Sequence, residues 1–523
     1  MVDAKTGDPV PRAHVQLQKI QSQDSPITTS TDSLGQFVLL SAEPGQYRLW
    51  AERTGYLRAV FGARRNNSPG AILVVDAGVH LRDVTLHIMP QSVIVGRVLD
   101  EDGEPVQDAH VQSLESSYVR GRRQLVAAQD TVTNDLGEFR LYSLGPGRYM
   151  VSAAYRTRDS RQATSGPTGA REDESTLEQT YAPTYYPNTI DPSAAVLISV
   201  SAGEQVRGID VTLLRTPAAR IRGHVTNPLT GRSGRNIMVV LFPRDSGGIP
   251  STDRNTAATP DGMGNFELRG VTPGSYLLTA QWGYGSAQLP IEVGSSNINS
   301  VNLTISPNLE VRGLLRLDNG GTVQLGNRRV VVSLQPSEAL LSIIAENANT
   351  DGTFVLSNVP PDTYAFNVAG LPDNYCVKDI RVESERLADG TLNLTAGSLA
   401  GALEVVLSRS CGNVEGVVAD ADGHSFEGAT VVLVPQASHQ HALYLYRTAL
   451  TDQSGRFSLQ GIAPGDYRLY AWEAIEGGAY LDPDFVHVYE ELGVNVSVEQ
   501  KSGATLQLKL IPAGGVGSEP VTK

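Results

Sequence analysis

Lysine is scarce in this chain. Six occur in 523 residues, Lys5, Lys19, Lys378, Lys501, Lys509 and Lys523, and none falls between 91 and 308. A lysine–asparagine isopeptide cross-link, the weld found in some surface β-sandwiches, is therefore excluded from that stretch. Cysteine is scarcer: Cys376 and Cys411 are too few for a disulfide framework or a four-thiolate zinc site. No apolar run approaches the roughly 20 residues that span a bilayer, "AILVV" at 71–75 being typical. No export signal is recognisable either, an absence that excludes little, for a reason given below. Positive charge does not accumulate: the net charge is −14, and the densest basic spots, "GARR" (62–65) and "RGRRQ" (120–124), read as solvated loop tips. No nucleic-acid partner is expected, because such binding leans on clustered Lys and Arg. Helical periodicity is almost absent too.

What the sequence has in abundance is turns, with 52 Gly and 29 Pro, and one phrase used five times. "TDSLGQFVLLSAEPGQY", "TNDLGEFRLYSLGPGRY", "PDGMGNFELRGVTPGSY", "NTDGTFVLSNVPPDTY" and "TDQSGRFSLQGIAPGDY" share a fixed frame. Glycine precedes phenylalanine by two, as Gly35/Phe37, Gly137/Phe139, Gly264/Phe266, Gly352/Phe354 and Gly455/Phe457. Tyrosine follows each phenylalanine by ten, at Tyr47, Tyr149, Tyr276, Tyr364 and Tyr467. A catalytic motif is needed once, so spacing held across five copies reads as a fold constraint. Phe and the Leu two residues on share one face of a strand and point to a core. The "PG" before the tyrosine is read as a turn whose glycine takes positive φ, and the earlier glycine as the left-handed end of a tight hairpin turn. Asp32, Asn134, Asp261, Asn349 and Asp452, three residues ahead of that glycine, suit capping of turn amides.

Each phrase is preceded by strand, polar turn and strand, and followed by an alternating strand such as "VRGIDVTLLRTP". Short alternating strands with frequent turns indicate antiparallel sandwiches. The chain divides into 1–90, 91–216 (with a long insertion at 154–195), 217–308, 309–410 and 411–513, followed by a polar tail, 514–523. Short proline-containing joints predict an elongated array with limited bending. "MVDAKTGDPVPRAHVQL" matches "VVADADGHSFEGATVVL" only from the middle of its first strand. The first sandwich is therefore expected to be N-terminally truncated, and an export signal to be lost with the missing residues.

The frame G-x-V, then "DxDGxPVxxAxV", then "TDxxGxFxLxxLxPGxY", resembles carboxypeptidase regulatory-like domains of multi-domain bacterial proteins. The resemblance implies an all-β chain of five seven-stranded, transthyretin-like sandwiches with the carbohydrate-binding-like fold. It does not imply peptidase activity.

The chemical readings are thin. "HSFE" (His424–Glu427) is the one H-x-x-E, sits in a hairpin turn and lacks the further ligands of a metallocarboxypeptidase. "HQH" (439–441) reads as a solvated loop, and "DEDGE" (100–104) as a hairpin loop rather than a calcium site, which wants six to eight oxygens. No metal, cofactor or catalytic residue is assigned, and the chain reads as non-enzymatic. Cys376 opens a strand and Cys411 ends the closing strand of the same unit; if those strands are antiparallel, the two come opposite each other and can form a disulfide in an oxidising compartment. Binding is left to exposed aromatics: Tyr181, Tyr185 and Tyr186 in "YAPTYYPNT", and Trp282 and Tyr284 in "QWGYG". The reading against this is that these rings, like Trp472, seal sandwich ends. The polar stretch 158–175 is expected to be mobile. The resulting expectation is an extracellular, periplasmic or cell-surface scaffold or adhesin whose partner is a protein or polysaccharide. Carbohydrate binding, or service as an accessory to a peptidase or outer-membrane transporter, are the alternatives.

Overall fold

A computed structural model describes residues 1–513 apart from 21, 23, 66–67, 156–177, 230–235, 245–255, 322, 324, 326–327, 338–341, 384, 388, 398 and 400. The polar stretch 158–175 and the tail lie outside the described residues. The chain is nearly all β, and no helix among the described residues is long and apolar enough to cross a membrane.

The second repeat shows how the frame builds a sandwich. Its first strand, Ser92–Leu99, is flanked by Glu138–Leu144 on one side, antiparallel, and by Gln205–Val206 and Val211–Thr212 on the other, parallel. A second sheet runs from Arg122–Val132 through His110–Val119 to Gly147–Ala154. Phe139, Leu141, Tyr149 and Val151 meet between the layers with Ile94 and Val98. The same arrangement recurs around Arg215–Thr226, Leu309–Leu317 and Gly412–Ala419, each with its own buried cluster.

One cross-strand pair recurs in these four copies. The phenylalanine lies opposite a glycine of the first strand: Phe139 with Gly96, Phe266 with Gly223, Phe354 with Gly313 and Phe457 with Gly416. There is no room for a side chain there. A Cβ built on Gly313 would lie 2.1 Å from Phe354 Cζ and 2.6 Å from the carbonyl oxygen of Leu403 on the closing strand. The tip of the ring thus packs against bare backbone, the tight approach that glycine in a strand permits.

The tyrosine has an equally fixed task. Its hydroxyl donates to the carbonyl four residues back across the "PG" turn: Tyr47 to Glu43 (2.7 Å), Tyr149 to Gly145 (3.0 Å), Tyr276 to Thr272 (2.8 Å), Tyr364 to Pro360 (2.7 Å) and Tyr467 to Ala463 (2.8 Å). The ring stays in the core while its polar tip is satisfied. In the hairpin turn the earlier glycines are left-handed, φ running from 70° to 95°. Asp261 Oδ1 accepts from the amides of Met263 and Asn265, both at 2.9 Å, and Asp32, Asn134 and Asp452 do likewise.

Four features depart from the sequence reading. The glycine of "PG" does take positive φ in Gly45, Gly274 and Gly465, at 154° to 158°, but each second turn also has a left-handed residue that the sequence reading did not place. It lies four residues after each phenylalanine, at Ser41, Ser143, Gly270, Asn358 and Gly461, with φ between 59° and 68°. In the last four copies it sits at a β-bulge, where the ladder register shifts. In the first repeat, residues 36–44 join no ladder, and Phe37 and Leu39 are half-buried.

The boundary at 216/217 falls inside the continuous strand Arg215–Thr226, onto which Glu178–Tyr181, within the insertion, is added. That joint is a shared strand, not a linker.

The array is also not an open rod, because the fifth repeat touches the first and second. The Gln453 side-chain amide accepts from Val74 N (3.0 Å) and donates to Val74 O (3.1 Å), imitating a ladder partner. Arg64 lies over the Phe426 ring (5.2 Å), Tyr118 meets Phe485 edge to face (5.5 Å), and Gly121 rests on Leu481. Small-angle scattering should find a particle more compact than a string of five sandwiches. The double variant Gln453→Ala/Phe485→Ala should lengthen it, whereas an already extended wild type would refute the closure.

Candidate functional site

The tyrosine loop of the second repeat is built inward. Tyr185 lies in the short strand Thr184–Tyr185, which pairs with Ser152–Ala153, and its side chain is buried. Tyr186 and Tyr181 pack against the core of the second repeat. The Tyr181 hydroxyl donates to Glu101 Oε2 (2.9 Å) and accepts from Arg215 Nη2 (3.1 Å), while Arg215 Nε pairs with Glu101 (2.6 Å). These rings tie the insertion to the joint between repeats two and three. They do not form an open aromatic platform.

Trp282 ends the strand Gly274–Trp282, and Tyr284 lies in the two-residue turn that joins it to Gly285–Val293. Trp282 packs on its own core, whereas Tyr284 is 79% exposed. The loop is tethered at the next joint: Asn308 N donates to the Tyr284 carbonyl (2.7 Å), and Asn308 Nδ2 donates to Asn358 Oδ1 (2.7 Å). Trp472 is buried and stacks on Tyr470, centroids 4.9 Å apart. It belongs to a second aromatic cluster of the fifth repeat, with Tyr446, Val486 and Tyr489, closed by the short helix Pro483–Val488. Asp482 caps that helix by accepting from Asp484 N (3.0 Å). The sequence reading placed no helix here, because periodicity does not mark so short an element.

The carboxylates of the polar loops are spent on turns. Asp100 Oδ1 accepts from Asp102 N (3.0 Å) and Glu104 N (2.9 Å), and Asp420 Oδ1 from Asp422 N (3.0 Å) and His424 N (2.9 Å). Asp420, Asp422 and His424 each place one ligand atom within 4.8 Å of the others, largely exposed, and Glu427 is not in the group. His439 Nδ1 meets the adjacent Ser438 hydroxyl at 2.8 Å.

Cys376 and Cys411 form a disulfide with Cα atoms 5.8 Å apart. The strands Cys376–Val382 and Leu403–Ser408 are antiparallel, with Cys376 opposite Ser408, so Cys411 reaches back from beyond the strand end. The bridge therefore fastens the joint into Gly412–Ala419. Around it, Tyr444 of the fifth repeat enters the buried cluster of the fourth. The Arg447 guanidinium donates to the carbonyls of Tyr444 (2.7 Å), Tyr446 (2.8 Å) and Gly461 (2.8 Å). This weld was not legible in the sequence, since Tyr444 and Arg447 belong to no repeated column.

Residues 1–85, 93–178 and 413–481 match the carboxypeptidase regulatory-like domain, and the chain is a multidomain protein carrying that domain. Similar solved structures include the TIE protein of Bacillus anthracis, at 9% identity over 83% of this chain and 76% of that one, with a TM-score of 0.17. A streptococcal ancillary pilin shares 14% identity over 56% of this chain and 98% of its own, with a TM-score of 0.19. The minor pilin GBS52 of Streptococcus agalactiae shares 14% over 40% and 100%, with a TM-score of 0.18. Likeness at these scores carries no functional argument. No curated protein matches the chain.

Burial pushes the Tyr444 and Tyr467 hydroxyls up to about 12, because the phenolate would be desolvated. The unfolded chain titrates near 10. The neutral form is thus favoured by folding: its contribution is complete below about pH 10 and is lost as pH rises toward about 12. Denaturant titrations from pH 8 to 12 should show the fourth and fifth repeats losing stability above about pH 10. A flat profile to pH 12 would contradict the burial of these hydroxyls.

Proposed function

We propose that this chain is a non-catalytic interaction scaffold working outside the cytoplasm, at the cell surface or in the envelope, with a protein partner. On this reading it comprises five sandwich units at 1–90, 91–216, 217–308, 309–410 and 411–513, welded at their joints. The observation that carries the reading is where the repeated residues go. Glycine, phenylalanine and tyrosine fill interiors or shape turns, and the polar side chains of the loops cap backbone amides. Among the described residues, these repeated side chains are taken up by the fold and are not available to act on a substrate. The Cys376–Cys411 bridge supports an oxidising compartment. Carbohydrate is the weaker reading, since of the aromatics singled out only Tyr284 leaves its ring largely open.

Alkylation of cells at harvest followed by mass spectrometry tests the compartment. Both cysteines should be unlabelled without reductant and labelled after it. Two alkylated thiols in the untreated sample would place the chain in a reducing compartment and remove this reading.

A further inference from the structure

The second sheet of the second repeat ends on an edge unlike those of the other repeats. Its outermost strand, Arg122–Val132, pairs with His110–Val119 on one side and with no strand on the other among the described residues. This strand has 11 residues, whereas the corresponding edges Ile27–Ser30, Thr256–Ala258, Ile344–Asn347 and Arg447–Leu450 have three or four. None of its side chains is fully buried. Natural edges are blunted by shortness, charge or proline, and the middle of this one, "QLVAAQ" (124–129), carries neither charge nor proline. It has a bulge instead: Ala127 lies opposite Leu114 and Gln129 opposite Ser113, with Ala128 as the extra residue.

The bulge decides which side chains share a face. Arg123 stands opposite Tyr118 and Asp130 opposite Gln112, which places both on one face of the sheet. Gln124 opposite Ser117 and Gln129 opposite Ser113 share the other face. In a regular strand the members of each pair would point to opposite faces. The edge is therefore self-complementary. With two copies antiparallel about a two-fold axis at Val126, Arg123 of each meets Asp130 of the other, and Gln124 meets Gln129. Ala127 and Ala128 together then face Leu125, so both bulges are accommodated. Arg123 and Asp130 are exposed, and Arg123 is steadied by its Nε donating to Ser116 Oγ (2.8 Å). The Gln124 side-chain oxygen is buried and has no hydrogen-bond partner among the described residues. A rotation of its amide toward the edge lets Gln129 of a second copy supply the missing donor.

We propose that this edge is a homodimer interface, at which two copies join the second sheets of their second repeats into one continuous antiparallel sheet. Main-chain hydrogen bonds between the two edges give affinity, and the Arg123–Asp130 and Gln124–Gln129 pairs, each made twice by symmetry, give register. One strand pair is a small interface, so the association is weak and depends on concentration. Beyond Arg122 the hairpin tip rests on the fifth repeat, Gly121 against Leu481, which ends the free edge there. The inference goes beyond the scaffold reading and does not depend on the compartment or on the tyrosine loop.

Sedimentation velocity of the full chain between about 1 and 100 µM tests the proposal. The wild type is expected to pass from monomer to dimer over that range. Arg123→Asp sets like charges opposite each other at both ends of the strand pair, and so does Asp130→Arg. Each variant alone is expected to dimerise at least about tenfold more weakly. Mixed in equal amounts, the two variants place opposite charges at both ends again. A heterodimer close to wild-type strength is then expected, which also shows that both variants are folded. A wild type that stays monomeric at about 100 µM would overturn the proposal. Single variants that dimerise as well as the wild type would overturn it too, as would a mixture that stays monomeric.

Discussion

The structure turns on the contact between a phenylalanine ring and a strand glycine that has no space for a side chain. On one side of Gly96 stands Phe139, and on the other the carbonyl of Ile209, 1.8 Å from where a Cβ would sit. The bare backbone lets the closing strand approach and leaves room for the tip of the ring. Burying such a ring contributes on the order of 2–3 kcal/mol, and each complete repeat has one. The tyrosine then ties the following turn to the same core through its hydroxyl. Because these three residues are consumed by the fold, their recurrence carries no information about activity, and binding must be sought on edges, joints and outer faces.

The parts of the fold legible in the sequence are those that every copy must solve alike. The ten-residue step from Phe139 to Tyr149, or from Phe457 to Tyr467, is the length of one strand plus one turn, and it survives because both ends are buried. The positive φ of three "PG" glycines was legible, but the left-handed bulge residue ahead of them was missed. That position is filled by serine, glycine or asparagine and reads as background. The site was less legible. Three tyrosines in one loop look like an exposed patch, but Tyr185 is drawn inward by pairing with Ser152, a contact across an insertion that no local pattern encodes.

The contacts that shape the whole molecule are the least visible in the sequence. Gln453 imitates a peptide group for Val74, 379 residues away, and Tyr444 completes the core of the neighbouring repeat. Each occurs once, so neither shares in the periodicity that made the sandwiches readable. Short joints suggest a rod when considered alone. Here the strand through Arg215–Thr226, the disulfide beside Gly412 and the contacts of the fifth repeat with the first two fix the units against one another.

The central claim is that the strand glycine is a steric requirement of each sandwich. Its most direct test is a series of single replacements, Gly96→Ala, Gly223→Ala, Gly313→Ala and Gly416→Ala, followed by hydrogen exchange across the chain. The account predicts that each replacement lowers protection first in the repeat that carries it, by about 1–3 kcal/mol, as in other overpacked cores. Unchanged protection in all four would contradict it, and the repeated phenylalanine would then need another explanation.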